Sequence, residues 1–438
     1  MFRNNLCYLL CAGYPSFIFQ KTSHFELFFE LLSESTSSFC IYSDNAPCIQ
    51  YAHGNRISSI YSIMHEQEGI VDMAGSTFGN IFRITTWGES HGEALGVVVD
   101  GCPAGLALNT DDIQAYLDRR KPGQTNISTP RKETDAVEIL SGIFEGKTTG
   151  TPIAMLVRNT SQPTADYSEI AGYYRPGHAD YTFDAKYGFR DYRGGGRSSG
   201  RETIGRVAGG AVAARLLHEF GIKRTAYTKS IGPVSIDMNK FDMQAIKTTP
   251  TCMPDTDASV QAETFLSDCM RSYDSAGGVI ECIITGVPAG LGDPVFEKLD
   301  ANLAKAIMSI GAVKAVEIGN GIDAAVCHGS ENNDAFYMKD GKVTKTTNHA
   351  GGILGGISDG SDIILRAHVK PTPSIFSPQK TVNKQGEDIE VSIKGRHDPI
   401  IVPRAVVVVE TMAAITIADA LLMNAGSRLD NLKKIYDR

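Results

Sequence analysis

After Met73, short apolar runs rich in β-branched residues recur between glycines and prolines. Such runs predict strands, because β-branched side chains pack well on a pleated sheet. The predicted strands cover residues 95–100, 137–140, 153–157, 278–284, 362–369, 389–393 and 400–409.

The segments between these strands contain helix signals. A helix is predicted over 110–120 with Thr110 as its N-cap. Asp111 and Asp112 fit its first turn, because negative charge favours the positive end of the helix dipole. Another helix is predicted over 299–310.

Two further predicted helices are strongly apolar. The helix over 202–220 is closed by Gly221 and repeats apolar residues at the spacing of one helix face. These residues are Ile204, Val207, Ala208 and Ala211. The helix over 411–425 is apolar on most faces, which predicts burial or contact between subunits.

Strands and helices interleave throughout residues 73–438, without a repeat, a low-complexity tract or a linker. We therefore predict a single α+β domain over 73–438. Layers of antiparallel strands packed on helices fit this order better than a doubly wound sheet does.

Residues 1–72 differ in composition from the rest of the chain. They contain three basic and seven acidic residues, which is half of the net charge of −8. Apolar runs at 6–10 and 17–19 resemble a targeting peptide, but acidic residues follow closely, and transit peptides are poor in acids. The runs are too short to cross a membrane, which takes ~20 apolar residues. We predict a disordered extension with Met73 as the functional start; organellar targeting is the alternative.

The overall composition argues against several functional classes. A net charge of −8 disfavours nucleic-acid binding, which needs a basic surplus. The nine cysteines form no CxxC pair, which indicates reduced thiols. The histidines form no metal-ligand motif, so no metal is expected. Positive residues are concentrated at 119–132 and 175–206, and such clusters focus positive potential on an anion.

A glycine-flanked histidine lies in the segment Gly-Glu-Ser-His-Gly at 88–92. Glycines on both sides leave His91 accessible to a ligand, and an imidazole titrates near neutrality, which suits a proton donor. The alternative is a histidine that only shapes a turn. The phase of Ser90 does not match Gly-x-Ser-x-Gly, so a hydrolase nucleophile is disfavoured.

A second histidine, His178, follows a Pro-Gly turn in the segment Arg-Pro-Gly-His-Ala-Asp at 175–180. Asp180 is placed to orient the imidazole and to set its tautomer. A purely structural turn is again the alternative.

A glycine-rich loop at 194–203 leads directly into the predicted helix at 202–220. Free backbone amides, the helix N-terminus and two arginines with two serines favour binding of phosphate or carboxylate. The loop lacks the Walker A and Gly-x-Gly-x-x-Gly patterns, which disfavours nucleotide triphosphates and Rossmann dinucleotides. A single Arg-Gly-Gly copy in an acidic protein argues against RNA binding.

Three late segments complete the candidate chemistry. Paired glycines at 351–356 permit close approach to a flat ligand. Lys370, Thr372 and Ser374 are placed to donate to a phosphate. The Arg-His-Asp run at 396–398 offers Asp398 as an acid–base group.

In their order and spacing, these segments resemble the chorismate synthase family over roughly the last 360 residues. The resemblance implies a β-α-β sandwich fold, a homotetramer and a carbon–oxygen lyase of the shikimate pathway. Such an enzyme converts 5-enolpyruvylshikimate 3-phosphate to chorismate by anti 1,4-elimination of phosphate. It also implies reduced FMN as cofactor, which lends electron density to the substrate ring and recovers it, so that the overall reaction is redox-neutral.

The resemblance also implies roles for individual residues. His91 protonates the departing phosphate, His178 acts near N1 of the flavin, and Asp398 accepts the ring proton near N5. The implied substrate-binding residues are Ser90, Arg120, Ser199, Arg201 and Arg396. The implied FMN-binding residues are Arg120, Arg197, Ser198, Ser199, Gly311, Ala312, Gly355, Lys370, Pro371, Thr372, Pro373, Ser374 and Arg396.

Some expectations remain open. Asn126 stands where some family members have arginine, and Gly200 replaces a frequent alanine. Reduced flavin comes either from a separate flavin reductase or, in a bifunctional enzyme, from NADPH. A non-catalytic flavin- or phosphate-binding homologue is the alternative function, although such a protein needs the arginines but not three titratable groups. We expect a cytoplasmic enzyme with a small-molecule substrate, independent of membranes.

Overall fold

The computed structural model divides the chain into two compact units, Met1–Gly75 and Ser76–Arg438. It describes four strands within residues 7–51, and residues 75–123, 134–159, 169–393 and 398–436. In the first unit the four strands are antiparallel, in the order β2-β1-β3-β4. They are β1 (Cys7–Cys11), β2 (Phe17–Phe19), β3 (Phe39–Ser43) and β4 (Ala46–Tyr51). They lie in the extension for which we predict disorder; the division at residue 72 stays a prediction.

The second unit has two antiparallel five-stranded sheets. The first has the order β5-β6-β7-β11-β8 and the second the order β13-β12-β14-β20-β15. The strands of the first sheet are β5 (Thr77–Phe78), β6 (Arg83–Trp87), β7 (Ala94–Asp100), β8 (Val137–Ile139) and β11 (Ile153–Arg158). The strands of the second are β12 (Lys223–Ile231), β13 (Val234–Ser235), β14 (Gly278–Thr285), β15 (Val313–Ile318) and β20 (Ile363–Val369).

Four small hairpins accompany the two sheets. Their strands are β9 (Ile143–Phe144) with β10 (Lys147–Thr148), β16 (Phe336–Lys339) with β17 (Lys342–Lys345), β18 (Ile353–Leu354) with β19 (Ile357–Ser358), and β21 (Gln379–Val382) with β22 (Asp388–Val391).

The helices are α1 (Thr110–Arg120), α2 (Asp180–Tyr187), α3 (Thr203–Glu219), α4 (Ala245–Thr248), α5 (Thr256–Arg271), α6 (Leu299–Met308), α7 (Gly329–Asn332), α8 (Val402–Asn424) and α9 (Leu429–Tyr436). Helix α3 packs on β6, β7 and β11 of the first sheet, and α8 packs on β12 and β14 of the second. Because α8 also contacts α1, α3 and α6, the helices form a layer between the sheets. The predicted α+β sandwich is confirmed.

Helix α3 is buried on nearly every side, although the sequence predicts one apolar face. Small residues allow this close packing. A Cβ added at Gly209 would lie 2.9 Å from Ile84 Cγ2 in the first sheet, and one added at Gly210 would lie 2.3 Å from Thr411 Cβ in α8. A helix in a middle layer has no solvent face, so it shows no amphipathic pattern.

The predicted strand over 400–409 is wrong, because most of this segment forms the start of α8. Pro403 lies in the first turn, where its missing N–H costs no helical hydrogen bond. A short β-branched run buried on all sides resembles a core strand, and periodicity cannot distinguish the two. Among the described helices, α8 alone is long and apolar enough to cross a membrane, yet it is mostly buried inside the protein.

The predicted N-cap of α1 is wrong by one residue. Asn109 accepts a hydrogen bond from the backbone of Asp112, and the Asp112 carboxylate accepts one from the backbone of Asn109. Thr110 is instead the first helical residue.

We expect Gly210→Ala to lower the free energy of unfolding by about 1–3 kcal/mol, because the added methyl group overlaps Thr411 and the helix layer must open. Urea titration measures this loss. Gly329→Ala is the matched control, since a Cβ there meets no atom within 4 Å. Equal stability of the two variants would contradict the packing argument.

Candidate active site

The loop that carries His91 connects β6 to β7, and both Ser90 and His91 are buried. Ser90 Oγ donates to the carbonyl of Arg193 at 3.4 Å. The His91 ring lies against Gly194, whose φ is +69°. A Cβ at position 194 would lie 2.4 Å from the Cδ2 and Nε2 atoms of His91. Glycine at this position therefore makes room for the imidazole.

The remainder of the glycine-rich loop is held by its own side chains and by β6. Arg197 donates to Thr86 Oγ1 at 2.7 Å and to the Gly88 carbonyl at 3.2 Å. Ser198 Oγ donates to the Gly195 carbonyl at 2.7 Å. These bonds tie the loop to the turn that precedes His91. The implied contacts of Arg197 and Ser198 with FMN stay predictions.

A buried ion cluster lies beside this loop. Arg120, only 1% exposed, donates to Asp135 Oδ2 at 2.5 Å. Asp135 adopts a left-handed φ of +44°, which is uncommon outside glycine and is held here by the cluster. Arg201 Nη1 lies 3.5 Å from the second oxygen of Asp135. One carboxylate thus holds two guanidinium groups, which leaves excess positive charge for an anion.

The same cluster extends to Asp398. Arg404, at the start of α8, donates to Asp398 Oδ2 at 2.5 Å and to the backbone carbonyl of Arg120 at 3.2 Å. Burial lowers the pKa of Arg404, an effect that the Asp398 charge opposes and the Arg120 charge reinforces. Through Arg404, Asp398 is therefore fixed near Arg120, which lies almost 280 positions earlier in the sequence.

The turn before α2 carries His178 and an internal ion pair. Arg175 donates twice to Asp180, both times at 2.8 Å, and its backbone N–H donates to the same carboxylate at 3.0 Å. Burial opposes the ionised form, but the bonds from Arg175 outweigh it and hold the pKa of Asp180 below its usual range. His178 Nε2 instead lies 2.7 Å from Ser374 Oγ. Ser374 thus orients the imidazole through Nε2, and the orienting role of Asp180 stays a prediction.

The segment 370–374 leaves β20 and lies against the His178 turn. Lys370 Nζ donates to the Gly177 carbonyl at 2.8 Å, and the Lys370 backbone N–H donates to Ala312 at 2.9 Å. Burial lowers the pKa of Lys370, and the nearby Lys314 lowers it further. Within the described residues, the buried Oγ1 of Thr372 has no hydrogen-bond partner.

Arg175 connects the two halves of the site. A Cβ at Gly195 would lie 3.8 Å from Arg175 Nη2, so the His178 turn contacts the glycine-rich loop. His91, Ser90, Ser199, Arg201, Arg120 and Asp398 belong to one half; His178, Lys370, Pro373, Ser374 and Ala312 belong to the other.

Some predicted residues are not joined to these halves by the contacts above. The hairpin that carries Gly355 is tied to the start of α6, since Leu299 donates to Gly356 at 2.8 Å. Gly311 precedes Ala312 directly, and Pro371 directly follows Lys370. Arg396 and Asn126 lie outside the described residues.

The structure adds four residues that sequence reasoning did not assign to the site: Asp135, Asn159, Arg175 and Arg404. Arg175 had a usable signal, because it belongs to the His178 motif. Arg404 was hidden by the wrong strand prediction for its segment. Asp135 and Asn159 belong to no recognisable sequence motif, so no signal in the sequence indicated that they contribute to the site.

Two observations delimit the site. Among the described residues, no group of three His, Cys, Asp or Glu side chains is arranged to hold a metal ion. A cavity of about 700 Å³ lies between the start of β5, α6 and the end of α8, and no predicted site residue lines it. The candidate active site therefore lies outside this cavity.

Comparison with known proteins gives a consistent match. The family model for chorismate synthase matches residues 82–422. The chain is 68% identical over 366 residues to a chorismate synthase of Agathobacter rectalis, which covers 84% of this chain and 100% of the relative. It is 56% identical over 353 residues to that of Methanosarcina mazei, covering 80% and 97%. A crystal structure of chorismate synthase superposes with a TM-score of 0.65 at 32% identity, covering 82% of this chain and 97% of that one.

We expect Asp180→Asn to lower the free energy of unfolding by about 3 kcal/mol at pH 7, because it leaves Arg175 buried without its counter-charge. The pKa of Asp180 is depressed in the folded state, so its stabilising contribution is present above the unfolded pKa of about 3.9 and is lost as pH falls through the lower folded value. The difference between wild type and variant should therefore shrink below about pH 4.

Urea unfolding at a series of pH values measures this difference. Asp340→Asn, in an exposed turn, is the matched control and should leave stability within about 0.5 kcal/mol. A gap between wild type and Asp180→Asn that does not change with pH would argue against a stabilising charge on Asp180.

Proposed function

The chain belongs to the chorismate synthase family, and on this premise we propose how its side chains perform the reaction of the family. The chain is a carbon–oxygen lyase of the shikimate pathway, which supplies aromatic amino acid biosynthesis. It eliminates phosphate from 5-enolpyruvylshikimate 3-phosphate to form chorismate. The family requires a reduced flavin. None of the matches above favours a non-catalytic binding protein.

We infer that the flavin is reduced FMN, because the 370–374 segment is suited to its phosphate. Lys370 and Lys314 supply positive charge close together, and Thr372 Oγ1, which has no hydrogen-bond partner among the described residues, is available as a donor. The Ser374 hydroxyl can donate to the phosphate when its oxygen accepts the hydrogen bond from His178 Nε2. His178, held by Ser374, would balance charge near N1. When bound, the reduced flavin supplies the electron density that the elimination needs.

The observation that carries the proposed residue roles is the cluster of buried ions beside the His91 loop. His91 donates a proton to the departing phosphate. Ser90, Ser199 and Arg201, together with Arg396, bind the anionic groups of the substrate. Arg120 contributes positive charge to the site from the protein interior, since its guanidinium is buried against Asp135.

Asp398 takes up the proton that leaves the substrate ring. Its carboxylate is held by Arg404, which also donates to the backbone carbonyl of Arg120. The C–O bond to phosphate and the ring C–H bond both break, and the two protons are handled by His91 and Asp398 respectively. This division allows donor and acceptor to act without exchanging a proton directly.

We further propose that residues 73–438 form the catalytic domain and that the chain acts as a cytoplasmic homotetramer. The apolar helix α8 is mostly buried in the interior of one subunit, which supports function independent of a membrane. The flavin is reduced either by a separate reductase or by this chain with NADPH.

Purified protein, incubated without oxygen with reduced FMN and 5-enolpyruvylshikimate 3-phosphate, should release chorismate and phosphate in equal amounts. Chorismate absorbance and a phosphate assay measure them, and oxidised FMN without reductant is the control. Folded protein that forms neither product would contradict the function. Replacing reduced FMN by oxidised FMN and NADPH tests the bifunctional alternative.

We expect His91→Ala to reduce kcat by about 10²–10⁴-fold, the usual effect of removing a positioned proton donor. Binding of oxidised FMN, followed by fluorescence quenching, should not change. His218→Ala, at an exposed position near the end of α3, is the matched control. A kcat for His91→Ala close to that of the control would remove His91 from the mechanism.

A further inference from the structure

Asn159 directly follows β11 and lies opposite the end of the His91 loop. The pairing of β11 with β7 places Arg158 opposite Ala94, and the Asn159 backbone N–H donates to the Glu93 carbonyl at 3.0 Å. Its side chain therefore starts from a fixed position on the first sheet. Rigid elements hold functional groups more accurately than loops do.

The amide nitrogen of Asn159 holds both ends of the His91 loop. Nδ2 donates to the Gly92 carbonyl at 2.7 Å and to the Glu89 carbonyl at 3.2 Å. Gly92 also donates through its backbone N–H to Glu89 at 3.1 Å. Ser90 and His91 lie between these two anchored carbonyls.

The amide oxygen of Asn159 holds the arginine of the anion site. Oδ1 accepts from Arg201 Nε at 3.0 Å, and the far side of the same guanidinium faces Asp135. The opposite amide orientation would face the nitrogen towards Arg201 and the oxygen towards two carbonyls, so this network fixes the orientation. Two donors and one acceptor at this reach are specific to asparagine.

We propose that Asn159 is a positioning residue that couples the His91 loop to the Arg201 guanidinium. Through one amide it sets the location of the proton donor relative to the group that binds the substrate anion. The inference rests on the proposed roles of His91 and Arg201. A displacement of about 1 Å between reacting groups can cost about 10²-fold in rate, so a residue that never touches substrate can control turnover.

Two variants separate the two functions of the amide. Asn159→Asp keeps an acceptor for Arg201 but loses both bonds to the loop carbonyls. We expect its kcat to fall about 10–100-fold while KM for the substrate stays within about threefold. Asn159→Ala loses all three bonds, so KM should rise about tenfold as well. The matched control is Asn302→Ala on α6, which removes side-chain bonds to Glu297.

Hydrogen exchange measured by mass spectrometry gives a readout independent of turnover. Both Asn159 variants should exchange faster in the peptide that spans residues 88–94, without faster exchange in the second sheet and with unfolding midpoints near the wild-type value. Inactive wild-type protein would overturn the proposed function, whereas active wild type with Asn159→Asp at wild-type kcat would overturn the positioning role. Equal kcat and KM effects in the two variants would also overturn it, since they would reflect a merely structural role.

Discussion

The close packing of α3 against both of its neighbours is the constraint on which the site depends. Small residues on two sides of this helix bring it close to the first sheet and to α8, so the helix can shift towards neither. Because α3 begins at Thr203, its placement fixes the end of the glycine-rich loop. Arg206, in its second turn, donates to the side chain and carbonyl of Ser309 and so connects this end of the helix to the segment before Gly311.

Charge provides the second level of organisation. Buried ions are tolerated in proteins when they are paired, and most arginines near the site have a carboxylate partner. Asp135 must pair with two guanidinium groups, and Lys370 lies near a second lysine, Lys314. Positive potential therefore accumulates where we propose that the substrate phosphate, its carboxylates and the flavin phosphate bind. A chain with a negative net charge can bind such anions because the charge near the site, and not the net charge, sets the local potential.

The fold was predictable where the ends of a segment are marked by residues that stop or start an element. Strand β7 was placed nearly correctly by its β-branched run before a glycine, and helix α1 by its end signals. Prediction failed at the start of α8, because a segment surrounded by protein loses the periodicity that distinguishes helix from strand. The same loss concealed Arg404, although it is the partner of Asp398.

The sequence by itself determined which chemical groups are present. The candidate groups His91, His178, Asp398 and the glycine-rich loop lie in local motifs, where a turn or a helix start indicates a functional site. Only the tertiary structure decided which groups meet. The pairing of Asp135 with Arg120 and Arg201, of Ser374 with His178, and of Asn159 with the His91 loop joins positions far apart in the chain. Such partners leave no local pattern, since their distance is set by the packing of sheets and helices rather than by their spacing in the sequence.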